Sequence, residues 1–482
     1  MARRCFNLVA VLFAALAACA TGPEMGFGGL SNEAQAAPFL RGFADETVSG
    51  DEDATRAQYL DASVRAGSQI VRIGINWSDH APARPTNPTD PADPAYVRYM
   101  NIDAAVRAAA ARGLPVSILV TKAPEWAEAP NRPSDAPPGT WRPDADAFGE
   151  FATSLARRYS GTFATPQGLL PEVRTFQVWA EPNLSQNLTP QWERKGNKHA
   201  AVGPQIYRGL ANAMYAGIHA GNPDAQVIAG GTAPYGDPPG RTRMRPLVFL
   251  RELLCLRDGK RLRESKCPVP VNLDILSHHP ISLGGGPSRS AIHPDDATVA
   301  DFGNIERLLR GAERFDTVTP DGRHPLWATE LWWETDPPDT RFGIPLKTQA
   351  RWLAESLYSL WGDGAEAVVW LHLIDEELGG GGFGGYQDGL IFSNRTEKPS
   401  FEAFRFPFVA DRRNGKTVAW AIAPQTGELA IEQLKQGGEW HVVERVAVQA
   451  GDPELVRLPL RGAVSLRGVI GGEASPAYRL RR

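Results

Sequence analysis

Phe176-Gln177-Val178-Trp179-Ala180-Glu181-Pro182-Asn183 decides how this chain reads. The run from Val173 to Trp179 has the composition of a buried strand, and it stops abruptly at a carboxylate. Pro182 has no N–H to give to a sheet ladder, so regular pairing ends there. A glutamate beside Trp179 at the end of an apolar strand is poorly solvated, and desolvation raises a carboxyl pKa and favours acid catalysis. The plain alternative is a strand-end glutamate held in an ion pair.

Pro325-Leu326-Trp327-Ala328-Thr329-Glu330-Leu331-Trp332-Trp333 repeats the design: an apolar strand, a glutamate, then aromatics. Two such glutamates suit two strands of one sheet that point into one cleft. Paired carboxylates with tryptophan faces are the chemistry of glycoside hydrolysis, and 13 tryptophans supply such faces. The Trp-x-Glu-Pro-Asn and Thr-Glu-x-Trp-Trp segments resemble the fourth- and seventh-strand signatures of clan A glycoside hydrolases, near the cellulase-like and family 39-like members. The resemblance spans residues 40–408 and departs at Ala180, where the clan has an asparagine that hydrogen-bonds the sugar 2-hydroxyl. It implies a retaining double displacement, with Glu330 as nucleophile and Glu181 as acid/base. The rival from another class is a non-catalytic glycan-binding protein on a degenerate barrel.

The bulk numbers fit an enzyme of that size. The apolar fraction of 42% and charged fraction of 22% are those of a globular protein. A net charge of −4 leaves no basic surface for nucleic acid or an anionic membrane. Arg3 and Arg4 precede the apolar run Val9 to Ala18, which reads as an export signal and leaves no membrane span after processing. Cleavage after Ala34-Gln35-Ala36 removes residues 1–36. Alternatively, Leu16-Ala17-Ala18-Cys19 resembles a bacterial lipobox, which would lipidate Cys19 and hold a secreted enzyme at the cell surface. After cleavage at Ala36 only Cys255 and Cys267 remain, and an oxidising compartment would join them in a disulfide.

Along the chain, apolar strands alternate with amphipathic helices, the pattern of a parallel sheet with helices outside. Strands are expected over Phe39 to Ala44, Gln69 to Trp77, Leu114 to Thr121, Val173 to Glu181, Ala225 to Gly230, Val271 to Ser277, into Glu330, and Ala367 to Leu373. Asn101 is expected to cap the helix that carries Ile102, Val106 and Ala109. The stripe Ile305, Leu308, Leu309 and Ala312 marks another helix. Eight strands with intervening helices over residues 37–408 indicate a (β/α)8 TIM barrel. From Val409 the pattern shifts to short strands and glycine turns, a small β-sandwich-like domain over residues 409–482. The glycine-rich Gly379 to Gly385 is no phosphate cradle, because no Lys-Ser, Lys-Thr or helix follows it.

Catalytic groups in a barrel lie at the C-terminal strand ends, where Glu181 and Glu330 both fall. Arg72, in the second strand, needs a carboxylate partner inside a barrel, and it matches the clan's strand-two arginine that keeps the nucleophile ionised. His278 and His279 end the sixth strand, and period-two alternation sends them to opposite faces. A metal pair is therefore unsupported there, and no metal or organic cofactor is expected. His279 is the one matched by the clan's His-x-Tyr segment, with Ile281 in place of the tyrosine. Trp126, Trp332, Trp333 and Trp370 are candidate sugar platforms, with barrel packing as the alternative for each. Trp126 and Trp370 are favoured, and Asn183 and His372 are secondary polar candidates for the carbohydrate.

Overall fold

The computed structural model describes residues 39–480 except 51, 259–260, 378–384 and 414. The export signal, Cys19, Ala34 to Ala36 and most of Gly379 to Gly385 lie outside the described residues. Eight parallel strands close a barrel in sequence order: β1 Leu40–Ala44, β2 Ile70–Asn76, β3 Val116–Thr121, β4 Thr175–Val178, β5 Gln226–Thr232, β6 Ile275–His278, β7 Leu326–Leu331 and β8 Ala365–Leu371. Helices α1 Asp53–Arg65, α2 Met100–Ala110, α3 Ala145–Arg158, α4 Gly203–Gly221, α5 Pro246–Leu253, α6 Phe302–Arg314, α7 Leu346–Gly362 and α8 Pro399–Arg405 follow the successive strands.

Alternation along the strands builds two surfaces. Val71, Ile73, Ile118, Val120, Phe176 and Val178 face outward and join the layer between strands and helices. The interior floor is a separate cluster of Ile70, Ile228, Ile275, Trp327 and Ala367. Two residues further along the same strands stand Arg72, Ser277 and Thr329, so the interior turns polar towards its C-terminal end. On α6, Ile305, Leu308, Leu309 and Ala312 are all buried, as their spacing predicts.

Two local expectations are corrected. Helix α2 begins at Met100 with Tyr99 in the cap position, so Asn101 lies inside the helix. The sixth strand is broken: Val271–Asn272 pairs with Val318–Thr319, and the barrel strand starts only at Ile275. Between them Asp274 accepts hydrogen bonds from the Val227 N–H and takes His219 as a partner, so its carboxylate needs a position outside a regular ladder.

Cys255 and Cys267 form the expected disulfide, with Cα atoms 5.6 Å apart. Beyond α8 come two antiparallel sheets. One holds β9 Phe408–Arg413, β10 Lys416–Ile422 and β13 Pro453–Leu458. The other holds β11 Gly427–Leu434, β12 Trp440–Val448, β14 Val464–Ile470, β15 Glu473–Ala474 and β16 Tyr478–Leu480. They enclose their own core, including Phe406, Phe408, Leu429, Ile431 and Leu466. The domain docks on α7, where Trp420 meets Tyr358 and Trp361 and the Tyr358 hydroxyl donates to Asp411 at 2.9 Å.

Candidate active site

The segment after β4 is held in unusual backbone geometry. Trp179 and Glu181 both have positive φ, 56° and 44°. Such conformations cost roughly 1–3 kcal/mol each for non-glycine residues and persist only where the surroundings enforce them. The enforcement is visible. Trp179 is fully buried, its indole N–H donates to Asn187 O at 2.7 Å, and its ring edge meets Phe148. The Glu181 N–H donates to Gly231 O at 2.9 Å. This twist leaves the Glu181 side chain 20% exposed in the barrel mouth.

Glu330 arrives from the facing strand. The register between β7 and β8 shifts between Ala328 and Leu331, and such bulges re-aim side chains near active sites. The β5–β6 register also shifts, around Gly230 and Gly231. Gly230 has a φ of +105°, and a Cβ there would stand 2.3 Å from Ser277 O, so only glycine fits. This second irregularity leads β6 up to His279, whose N–H donates to Thr232 O at 3.0 Å.

The three side chains meet. His279 Nδ1 lies 3.3 Å from Glu181 Oε1 and 3.3 Å from Glu330 Oε2. A carboxylate oxygen of Glu181, one of Glu330 and the imidazole nitrogen all lie within 4.8 Å of one another. Arg72 completes the group: Nη2 donates to Glu330 Oε1 at 2.6 Å, and Nη1 to Thr329 O at 2.8 Å and Gln177 Oε1 at 3.4 Å. Burial pushes the Glu330 carboxyl upward, but the charges of His279 and Arg72, the Arg72 hydrogen bond and the charge of His372 outweigh it and hold it below the usual glutamate range. The cluster keeps one carboxylate ionised beside another.

His278 diverges from His279 as strand alternation requires. It is fully buried, bonded to Thr232 Oγ1 and Ala297 O, and burial pushes it down to about 3, so it is neutral. His372 behaves oppositely. Both its N–H and Nδ1 face Asp388 Oδ1, at 3.1 and 2.9 Å. Burial alone would push the imidazole down, but the Asp388 carboxylate carries it up to about 10. A buried cation thus ends β8, one residue beyond the Leu371 that pairs with Ala44.

Several expected platforms turn out to be framework. Trp333 is buried against Trp352 and Trp370, and its N–H donates to Ser282 O and Gly285 O. Trp370 is 1% exposed and donates to Asp388 O, so neither ring has a face open to a sugar. Asn183 is also buried: it accepts from the Ala233 N–H and donates to Met244 O and Ala233 O, stapling the loops after β4 and β5. Trp126 is half-buried, with its N–H on Ala81 O, its edge at Trp77 and the Arg84 guanidinium over its ring. The tryptophan left half-exposed beside Glu330 is Trp332, which meets Tyr386 edge-on at 5.9 Å. Tyr386 also packs against His372, with tilted rings 5.3 Å apart.

Sequence reasoning passed over Gln177, Asp388 and Tyr386. Gln177 had a signal, a polar residue inside an apolar strand. Asp388 and Tyr386 follow β8 in a loop without a local pattern.

No family model matches the sequence, and no curated protein is similar enough in sequence to match it. Solved structures do match the fold. A family 39 glycoside hydrolase from Bacteroides cellulosilyticus WH2 superposes with a TM-score of 0.55 at 15% identity, over 88% of this chain and 81% of that one. The chain has the fold of the clan A glycoside hydrolases. A GH5_18 protein from Streptomyces cattleya, solved with GlcNAc, gives 0.51 at 16% identity, over 77% and 79%. A monomeric beta-xylosidase from Caulobacter crescentus CB15 gives 0.50 at 15% identity, over 92% and 97%. At these identities the likeness is one of architecture, and the side chains carry the rest.

Proposed function

We propose that the protein is an exported retaining glycoside hydrolase that cleaves O-glycosidic bonds of a poly- or oligosaccharide. One observation carries the reading: the carboxylates of Glu181, just past the end of β4, and Glu330, on β7, come within 4.8 Å of each other, with His279 bridging them. Retaining enzymes hold their carboxyl groups about 5–5.5 Å apart, whereas inverting enzymes leave about 6.5–9.5 Å for a water. Glu330, held ionised by Arg72, attacks the anomeric carbon. The bond to the leaving oxygen breaks as Glu181 gives that oxygen its proton, and a glycosyl ester on Glu330 results. Glu181, now a carboxylate, takes a proton from water; the water oxygen attacks the anomeric carbon and frees Glu330.

Trp332 and Tyr386 flank the cleft as the aromatic faces available to a sugar ring. In the clan the position of Ala180 carries an asparagine that contacts the 2-hydroxyl; here the donors nearest the paired carboxylates are Arg72 and His279. Arg3, Arg4 and the run Val9 to Ala18 support export, with either a free enzyme or one tethered through Cys19. The deciding experiment is a screen of the purified protein against aryl glycosides and polysaccharides. Proton NMR of the first product formed from any substrate found then reads its anomeric configuration. Retained configuration is expected. Inversion contradicts the mechanism, and glycan binding without turnover contradicts the enzyme.

A further inference from the structure

Glu181, His279 and Glu330 have a second chemical capability, which rests on the same reading of them as facing groups in one cleft. A tetrahedral zinc ion holds nitrogen and oxygen ligands at about 2.0–2.2 Å, so neighbouring ligand atoms are roughly 3.3–3.6 Å apart. His279 Nδ1 stands 3.3 Å from both Glu181 Oε1 and Glu330 Oε2, so two edges of such a triangle are already set. The third, between the carboxylates, is no longer than 4.8 Å. It closes by a small movement of Glu181, the more exposed of the two side chains. Glu330 need not leave its ion pair, because Arg72 takes Oε1 and Oε2 is the oxygen beside His279.

We propose that these three residues form a site for a borderline divalent cation of the zinc class, filled in competition with substrate. An imidazole with two carboxylates suits zinc rather than calcium, which takes six to eight oxygens, or magnesium, which prefers oxygen ligands and keeps its waters. The ion would occupy both the nucleophile and the acid/base, so its effect is inhibition. Two features make it reversible. The Arg72 guanidinium opposes a second cation beside Glu330. His279 Nε2 is buried with no acceptor behind it among the described residues. Metal-bound imidazoles are ordinarily backed by such an acceptor, and its loss weakens metal affinity by about 10–100-fold.

The test uses the full exported chain, stripped with EDTA and titrated with zinc chloride by calorimetry and, in parallel, with cobalt chloride by visible absorption. One ion per chain is expected, with the intense visible bands of four-coordinate cobalt. Zinc should raise the apparent KM for an active aryl glycoside with kcat unchanged, and EDTA should reverse it. Glu181→Gln and His279→Ala should each weaken zinc at least tenfold at an unchanged melting temperature. His441→Ala, on the exposed C-terminal sheet, should leave both zinc binding and turnover as they were. Turnover untouched by millimolar zinc, or zinc affinity equal in wild type and both cleft variants, overturns the site while leaving the glycosidase standing. Stoichiometric zinc binding lost in those variants, with no glycoside turned over, upholds the site and overturns the enzyme instead.

Discussion

Arg72 Nη2 stands 2.6 Å from Glu330 Oε1, with the arginine side chain 5% and the glutamate side chain 15% exposed. At that depth solvent screens the pair poorly, so the guanidinium both orients the carboxylate and favours its charged form. Arg72→Met should lower kcat/KM about a hundredfold, the scale of a misplaced reacting group. It should also move the acid limb of the pH profile upward. The Glu330 carboxyl lies below its ordinary value, so its charged form survives acidification until the pH falls through that lowered value. Without Arg72 protonation sets in earlier. An acid limb that stays in place removes Arg72 from this role.

Glu181→Ala should cripple turnover of natural glycosides, whose leaving oxygen needs a proton, by about 10²–10⁴-fold. Dinitrophenyl glycosides, whose leaving groups depart unaided, should suffer far less. Azide should restore rate by entering the space left by the carboxyl group. Parallel loss on both substrate types without azide rescue, at an unchanged melting temperature, argues that Glu181 is structural.

Neighbouring tryptophans should separate cleanly. Trp333 is buried among Trp352 and Trp370, so Trp333→Ala should cost about 3–5 kcal/mol of stability. Trp332→Ala should leave the melting temperature nearly unchanged and raise KM. Denaturant melts and initial rates on the two variants check this; a reversed pattern would place the sugar on the other ring.

The barrel was legible because its strands are mainly apolar and alternate with helices that carry stripes such as Ile305 to Ala312. The clustering of Glu181, Glu330 and Arg72 was legible for a related reason: a carboxylate at the end of a buried strand, or an arginine inside one, needs a partner of opposite charge or a polar cleft. Strand six was misjudged because Val271 to Ser277 looks continuous, and only the partners of Asp274 reveal the break. Trp332 and Trp333 could not be told apart, because the bulge that delivers Glu330 leaves no mark in the sequence. Asn183 looked like a ligand group because it adjoins Glu181, yet its amide is consumed by the backbone of Ala233 and Met244. Asp388 was invisible, since its partners His372, Trp370 and Gln349 are assembled only by the fold.

The Asp388–His372 pair makes stability depend on alkaline pH. In the folded protein His372 is carried up to about 10, above the value of about 6.5 for an unfolded chain. The stabilisation is fully present below about 6.5 and is lost as pH rises through about 10. Thermal melts of wild type and His372→Gln from pH 6 to pH 10.5 should show a wide gap at the acid end that narrows towards the alkaline end. A constant gap contradicts the pairing.

If Glu330 attacks the sugar, the glycosyl–enzyme ester can be trapped on its carboxylate. Incubation with activated 2-fluoro-glycosides or cyclitol epoxides of the accepted sugar, followed by proteolysis and mass spectrometry, should find one adduct. The adduct should lie on the peptide containing Thr329-Glu330-Leu331 and be absent from Glu330→Gln. An adduct on Glu181 or on any other carboxylate would contradict it.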